Sequence, residues 1–168
     1  ENDNLAIGYQ AMDANNAGGT ENIAIGNYSL DALTSGDSNV AIGFEAMSAN
    51  TTGGLNVAIG KHALTANTTS NAQVAVGEFA LTANTTGTRN VAIGSSTLRV
   101  NTTASGSTAV GYQANRYNTS GAANTSLGDR ALTANTTGSN NIAVGSLALN
   151  ANTTGARNIA IGANAYDA

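Results

Sequence analysis

A glycine closing an apolar triplet recurs along this chain at Gly8, Gly26, Gly43, Gly60, Gly77, Gly94, Gly111, Gly128, Gly145 and Gly162. The steps between these glycines are 18 once and then 17 eight times, with the extra residue falling around Gly18-Gly19. A fixed period overrides local propensity, because every unit has to follow the same backbone path and bury its apolar face on its neighbours. Seventeen residues are too few for helix-pair repeats, which run to more than about 30. The spacing fits one coil of a parallel β-solenoid, so the predicted fold is all-β, with about ten 17-residue coils forming one repetitive domain over residues 1–168.

Within a unit, Asn56-Val57-Ala58-Ile59-Gly60 and Asn158-Ile159-Ala160-Ile161-Gly162 carry β-branched residues two apart. A pleated strand places such residues on one face and the intervening Ala on the other. Three residues after the glycine comes a second apolar pair, as in Ala63-Leu64, Ala80-Leu81, Ala131-Leu132 and Ala148-Leu149, which reads as a second short strand. The unit then turns through Asn-Thr-Thr-Gly, at Asn50 to Gly53, Asn84 to Gly87, Asn135 to Gly138 and Asn152 to Gly155. Asn and Gly there supply backbone conformations at positive φ. Helix is the competing reading of Ala63-Leu64-Thr65-Ala66, but no apolar stretch reaches the roughly 10–12 residues a typical helix needs.

Stacking such coils lines equivalent residues up about 4.8 Å apart. One ladder is Asn at the strand entrance, namely Asn22, Asn39, Asn56, Asn90, Asn124, Asn141 and Asn158, whose amides are placed to bond the coils above and below. Val40, Val57, Val74, Val91, Ile142 and Ile159 beside Ile42, Ile59, Val76, Ile93, Val144 and Ile161 are expected to form the dry interior. The alanine ladder Ala41, Ala58, Ala75, Ala92, Ala143 and Ala160 is expected to pack against other copies of the chain, since a strand apolar on both faces is covered on both.

Units of this kind, Asn-Val-Ala-Ile-Gly followed by Ala-Leu and then Asn-Thr-Thr-Gly, resemble the repeats of phage tail-fibre proteins and related long bacterial surface proteins. They are also similar to the head repeats of trimeric autotransporter adhesins, although those heads usually have shorter units without this regular turn. The resemblance covers essentially the whole chain. It implies a homotrimer of left-handed parallel β-rolls; the handedness and the number three come from the resemblance alone. The segment reads as part of a longer fibre protein, since Glu1-Asn2-Asp3 is neither an initiator Met nor the basic start of a signal peptide.

Composition narrows the function classes. With no Cys and a single His, the chain has neither a disulfide framework, a thiolate metal site nor a histidine-rich centre. Six Lys and Arg against ten Asp and Glu leave a net charge of −4, without the basic footprint of a nucleic-acid binder. No apolar run approaches the roughly 20 residues of a membrane-spanning helix, so no membrane insertion of this segment is expected. Catalysis needs convergent reactive groups, and a repeat of Asn, Thr, Ala and Gly supplies none. No enzyme activity, cofactor or metal is expected, and the six scattered Asp do not match calcium-binding solenoid repeats, which need one in every unit.

His62 occupies a variable slot two positions after Gly60 and is expected to be an exposed surface side chain, while Lys61 with Glu78 and Asp129 with Arg130 are candidate surface ion pairs. Asn-x-Thr/Ser sequons at Asn50, Asn67, Asn84, Asn101, Asn118, Asn135 and Asn152 read as turn residues before glycan acceptors. The most irregular stretch runs from Arg99 to Ser126, where Asn115 replaces the buried Leu and Thr125-Ser126 interrupt the Val-Ala core. Tyr112, Arg116 and Tyr117 there are the candidate surface-binding residues, suited to sugar or protein contact.

Two function classes follow. The first is a structural and adhesive rod of an extracellular fibre on a bacterial cell surface or a virion. Its partners are further copies of itself and a host-cell glycan or protein receptor, with end-to-end stacking into a filament as a variant. The second is an ice-binding solenoid built on the ladder Thr51, Thr68, Thr85, Thr102, Thr136 and Thr153. Spacing favours the rod: an array on one strand face requires Thr at i and i+2, whereas here two Thr are adjacent in a turn.

Overall fold

The computed structural model describes residues 3–14 and 19–166, so Gly18 of the expected one-residue insertion lies outside the described residues. The chain is a parallel β-solenoid. Ten three-residue strands run from β1 (Leu5–Ile7) through β2 (Ile23–Ile25), β3 (Val40–Ile42), β4 (Val57–Ile59), β5 (Val74–Val76), β6 (Val91–Ile93), β7 (Thr108–Val110), β8 (Thr125–Leu127) and β9 (Ile142–Val144) to β10 (Ile159–Ile161). They pair in sequence order into one sheet. Every pairing is parallel and in register, so that Val57, Ala58 and Ile59 lie over Val74, Ala75 and Val76.

Among the described residues each coil has one strand, not two. The segment after the glycine, expected as a second strand, alternates its backbone sign: in the fourth coil His62 (φ 57°) and Leu64 (φ 54°) are left-handed, as are Phe79 and Leu81 in the next. The N–H groups of His62 and Leu64 point in opposite directions along the stack. His62 N–H donates back to Phe44 O at 2.9 Å and Leu64 N–H donates forward to Ala80 O at 2.9 Å, while Ala63 N–H closes a local turn onto Gly60 O at 3.2 Å. A third left-handed residue, Leu55 at φ 60°, precedes the strand-entrance Asn. Such conformations cost a non-glycine residue about 1–2 kcal/mol each, so the coil path is imposed by its neighbours and its core, not by local preference.

Gly60 marks one corner of its coil. Its φ is +133°, and a Cβ there would sit 2.6 Å from the Gly77 carbonyl oxygen of the next coil. The period seen in the sequence thus marks a corner where adjacent coils approach backbone to backbone, as they do again in the turns at Gly53 and Gly121.

The interior reverses the expected facing of the strand. Ala41, Ala58, Ala75, Ala92 and Ala143 are fully buried and Ala160 nearly so, and all pack inward with the Leu64-type residues of the turn segment. The β-branched residues flank them on the outside. Val40, Ile42, Val57, Val74, Val76, Val91 and Val144 are half-buried, and Ile59, Ile93, Ile142, Ile159 and Ile161 are exposed. The expected dry interior is therefore the outer face of a single chain, and the expected inter-chain alanine ladder is its core. The reason is width: one short strand facing a turn segment already filled by Ala63 and Leu64 leaves room for a methyl group only.

The strand-entrance amides lie on the same inner face as the alanines, two residues away, and all are buried from Asn22 to Asn141. Asn56 Nδ2 donates to Asn39 Oδ1 at 3.1 Å and to Ser70 O at 2.9 Å, and Asn56 Oδ1 accepts the Gln73 N–H at 3.0 Å. Gln73 and Ser107 continue the ladder where Asn is missing, since Asn90 N–H reaches Gln73 Oε1 at 3.2 Å and Asn124 N–H reaches Ser107 Oγ at 3.2 Å. Buried polar groups need such partners, and an orphaned one costs about 1–3 kcal/mol. Asn56→Ala removes the partner of the Gln73 N–H and one partner of the Ser70 carbonyl, and is expected to lower unfolding free energy by about 2–4 kcal/mol in chemical denaturation.

Candidate functional site

The sequence-derived surface residues come together as two separate pairs. The Arg116 guanidinium lies over the Tyr117 ring at 5.0 Å, and the Arg130 guanidinium of the following coil lies 5.9 Å from the Tyr112 ring. The Tyr112 hydroxyl also accepts a hydrogen bond from Gln113 Nε2 at 2.8 Å. Both tyrosines are 46% exposed. Cation–π contacts of this kind contribute about 0.5–1 kcal/mol at exposed sites, so they arrange the side chains without sealing them from an incoming partner.

A longer aromatic ridge runs up the first five coils, and the period of the sequence conceals it because its members are drawn from both the first and the second positions after the glycine. Tyr9, Tyr28, Phe44 and His62 meet edge to face at centroid separations of 5.6, 5.9 and 5.6 Å, and His62 stacks on Phe79 at 5.2 Å. Arg99 closes the row, 4.9 Å over the Phe79 ring. His62 is accordingly half-buried within a ring stack instead of standing free at the surface, and its Nδ1 lies 3.1 Å from Glu45 Oε2. Among the described residues this is the sole contact within 4 Å between an acidic and a basic side chain. Lys61 with Glu78 and Asp129 with Arg130 do not form the contacts their sequence positions suggested.

The Asn-Thr-Thr-Gly turns hold a second buried ladder. Asn50, Asn67, Asn84, Asn101, Asn118 and Asn135 have no solvent exposure. Each uses its Nδ2 inside the stack: Asn118 Nδ2 donates to Asn101 Oδ1 at 3.1 Å and to Gly121 O at 2.9 Å. An amide nitrogen held this way is closed to glycan attachment, in line with the turn reading of these sequons. The first Thr is likewise engaged in five of these turns, where Thr51 Oγ1 donates to Thr68 O at 3.1 Å, Thr85 Oγ1 to Thr102 O at 3.1 Å, Thr102 Oγ1 to Thr119 O at 3.1 Å, Thr119 Oγ1 to Thr136 O at 3.0 Å and Thr136 Oγ1 to Thr153 O at 3.0 Å. Their hydroxyl protons point along the stack, away from a would-be ice face.

Among the described residues no three of His, Asp and Glu gather as metal ligands, and no cavity is enclosed. The most extensive surface feature is the outer face of the sheet, where two rows of mostly β-branched residues run the length of the stack. Ile59, Ile93 and Ile142 are 37%, 40% and 38% exposed although each has neighbouring coils on both sides. Monomeric proteins seldom leave contiguous apolar patches of this kind uncovered.

The irregular stretch singled out in the sequence is a polar belt across coils seven and eight. Asn115 takes the place of the buried Leu, and neither its Oδ1 nor its Nδ2 has a partner. Ser126 replaces the inward Ala, and its hydroxyl is also buried without a partner. The hydrophobic interior is split there, one cluster ending at Ala114 and the other beginning at Ala131. Asn115→Leu restores the apolar ladder in a slot whose left-handed backbone Leu98 and Leu132 already adopt. It is expected to raise the unfolding free energy by about 2 kcal/mol in chemical denaturation.

Asp31 is a second local liability. Burial raises its carboxyl above the ordinary value of 3.8, the N–H groups of Asp31 and Ala32 oppose that shift, and the charges of Glu45 and Asp13 add to it. Raised in the folded state, this group favours folding below its unfolded pKa and loses that contribution as pH rises through its folded pKa. Asp31→Asn is therefore expected to raise Tm at pH 7 and to have little effect at pH 3, checked by thermal denaturation at both values.

No family model matches the chain, and neither the curated proteins nor the solved structures contain a match to it.

Proposed function

We propose that this chain is a rod-forming segment of an extracellular fibre, on a bacterial cell surface or a virion, that assembles as a homotrimer and spaces or presents receptor-binding surfaces. The observation that carries this reading is the outer stripe of Val and Ile. On a single chain it is half-buried to exposed along the whole sheet, and parallel copies set side by side about a common axis remove the remainder from water at about 25 cal/mol per Å². The number three and the extracellular setting rest on the resemblance to tail-fibre and adhesin-head repeats. The side-chain chemistry is consistent with a scaffold, since the potential donors and acceptors of each coil are used mainly to bind the next coil.

Arg116 with Tyr117 and Tyr112 with Arg130 remain the candidate contacts for a glycan or protein receptor, and three copies would present each pair three times. Multivalent presentation lets weak contacts add up to firm attachment. The ice-binding alternative has less support, because the first Thr of the turns donates its proton to the neighbouring coil.

Light scattering across a dilution series tests the assembly. A persistent mass of about 50 kDa, three times the 16.6 kDa chain, is expected. Replacing outward residues by charge, as in Val57→Lys with Val91→Lys, is expected to give a folded single-chain species, since neither side chain belongs to the core of its own coil. A wild-type chain that stays folded at 16.6 kDa at all concentrations would overturn the proposal.

A further inference from the structure

We infer that Thr108 and Thr125 form a register key: they fix the axial level at which a second, parallel copy of this chain docks on the outer stripe. The inference rests on the self-association reading above and adds to it what sets the alignment. In the first outward row, β1 to β6 present Leu5, Ile23, Val40, Val57, Val74 and Val91, and β9 and β10 present Ile142 and Ile159. Only β7 and β8 carry a polar residue there, Thr108 and Thr125, and both are exposed. The second outward row stays apolar at the same levels, with Val110 and Leu127.

A repeat this regular has an alignment problem. Ten nearly identical levels, all in parallel register, present much the same apolar surface at each step, so two copies could slide by one coil, about 4.8 Å, with little change in contact. A slide also breaks rotational symmetry and turns a closed assembly into an open one. Thr has nearly the shape of Val with a hydroxyl in place of one methyl group. In water that exchange is almost neutral, but against an apolar partner the hydroxyl is left without a hydrogen bond. At zero slip Thr108 meets Thr108 and Thr125 meets Thr125, and each hydroxyl has one that both donates and accepts. A one-coil slip sets one Thr of each copy against Val91 or Ile142. Because the pair sits in coils seven and eight, off the centre of the described stack, an antiparallel arrangement also mismatches it. A second copy is the occupant that offers the same spacing, the same apolar rows and the same interruption.

The absence of native cysteine permits a direct test. Two versions of the chain, one with Val57→Cys and one with Val74→Cys, carry tags of different mass and are co-refolded and mildly oxidised. Disulfide Cα separations cluster near about 5.5–6 Å, and a same-level pair at that distance puts pairs one coil off at about 7.3–7.7 Å, past the usual limit of about 7 Å. Disulfides joining like positions are expected to exceed Val57→Cys to Val74→Cys disulfides by at least about tenfold. In a Thr108→Val, Thr125→Val background the two kinds are expected to become comparable, with each coil still folded because both side chains point outward. Equal like and unlike products in the native-Thr chain would overturn the register key while leaving self-association standing. The same like-only pattern in both backgrounds would overturn it too, by showing that the threonines do not set the level. No disulfide of either kind, together with a single-chain mass, would remove the association reading and the inference with it.

Discussion

The structure depends on satisfying polar backbone inside a space too narrow for water. Each coil turns carbonyls toward its own interior, and two columns of buried amides answer them. Asn56 bridges the coil before, the coil after and the Ser70 carbonyl across the interior, and Asn118 does the same at the turn. An apolar residue at either place would leave carbonyls and N–H groups unpaired in a low-dielectric interior, where they are most costly. The bonds of these amides link equivalent positions of adjacent coils, 17 residues apart in most of the stack, and Asn22 still reaches Asn4 Oδ1 across the 18-residue first step, so the ladder keeps its partners past one extra residue between rungs.

The period, the parallel stacking and the strand-entrance Asn ladder are all legible in the sequence, because each is a position repeated at constant spacing. The facing of the strand is read the wrong way round when size alone is used, since larger apolar residues are commonly assigned to the core. Parity holds the correcting signal. Asn39, Ala41 and Gly43 are two apart and so share a face, and an amide ladder buried on that face carries Ala41 inside with it, leaving Val40 and Ile42 outside. The second strand is misread for a different reason. Ala63-Leu64 looks extended, but Leu64 is buried with a left-handed backbone that propensity opposes, and only the bonds to the coils on either side make that path favourable.

At the candidate contact surfaces the sequence was informative about residue type and poor about pairing. Tyr112, Arg116 and Tyr117 were recognisable as unlike the repeat, yet which Arg meets which Tyr depends on the lateral positions of neighbouring coils, and Arg130 was not associated with Tyr112. The ridge from Tyr9 to Phe79 escaped because its rings arise from two different slots. What joins them is the 17-residue step, which brings positions distant in the chain to about 5–6 Å in space.

The reach of the turn-segment N–H groups into the coils on both sides has a consequence for how such a chain acquires its shape. Most of the bonds that hold His62, Leu64 and Ala66 in place come from the coils before and after, so an isolated coil would keep its left-handed residues and lose most of what compensates them. One coil is then not a folding unit. A nucleus has to span several coils at once, after which each added coil settles on a finished edge that already displays the pattern it must copy. Growth of this kind is directional and largely indifferent to final length, so duplication of a 17-residue unit lengthens the rod without redesigning any other part of it.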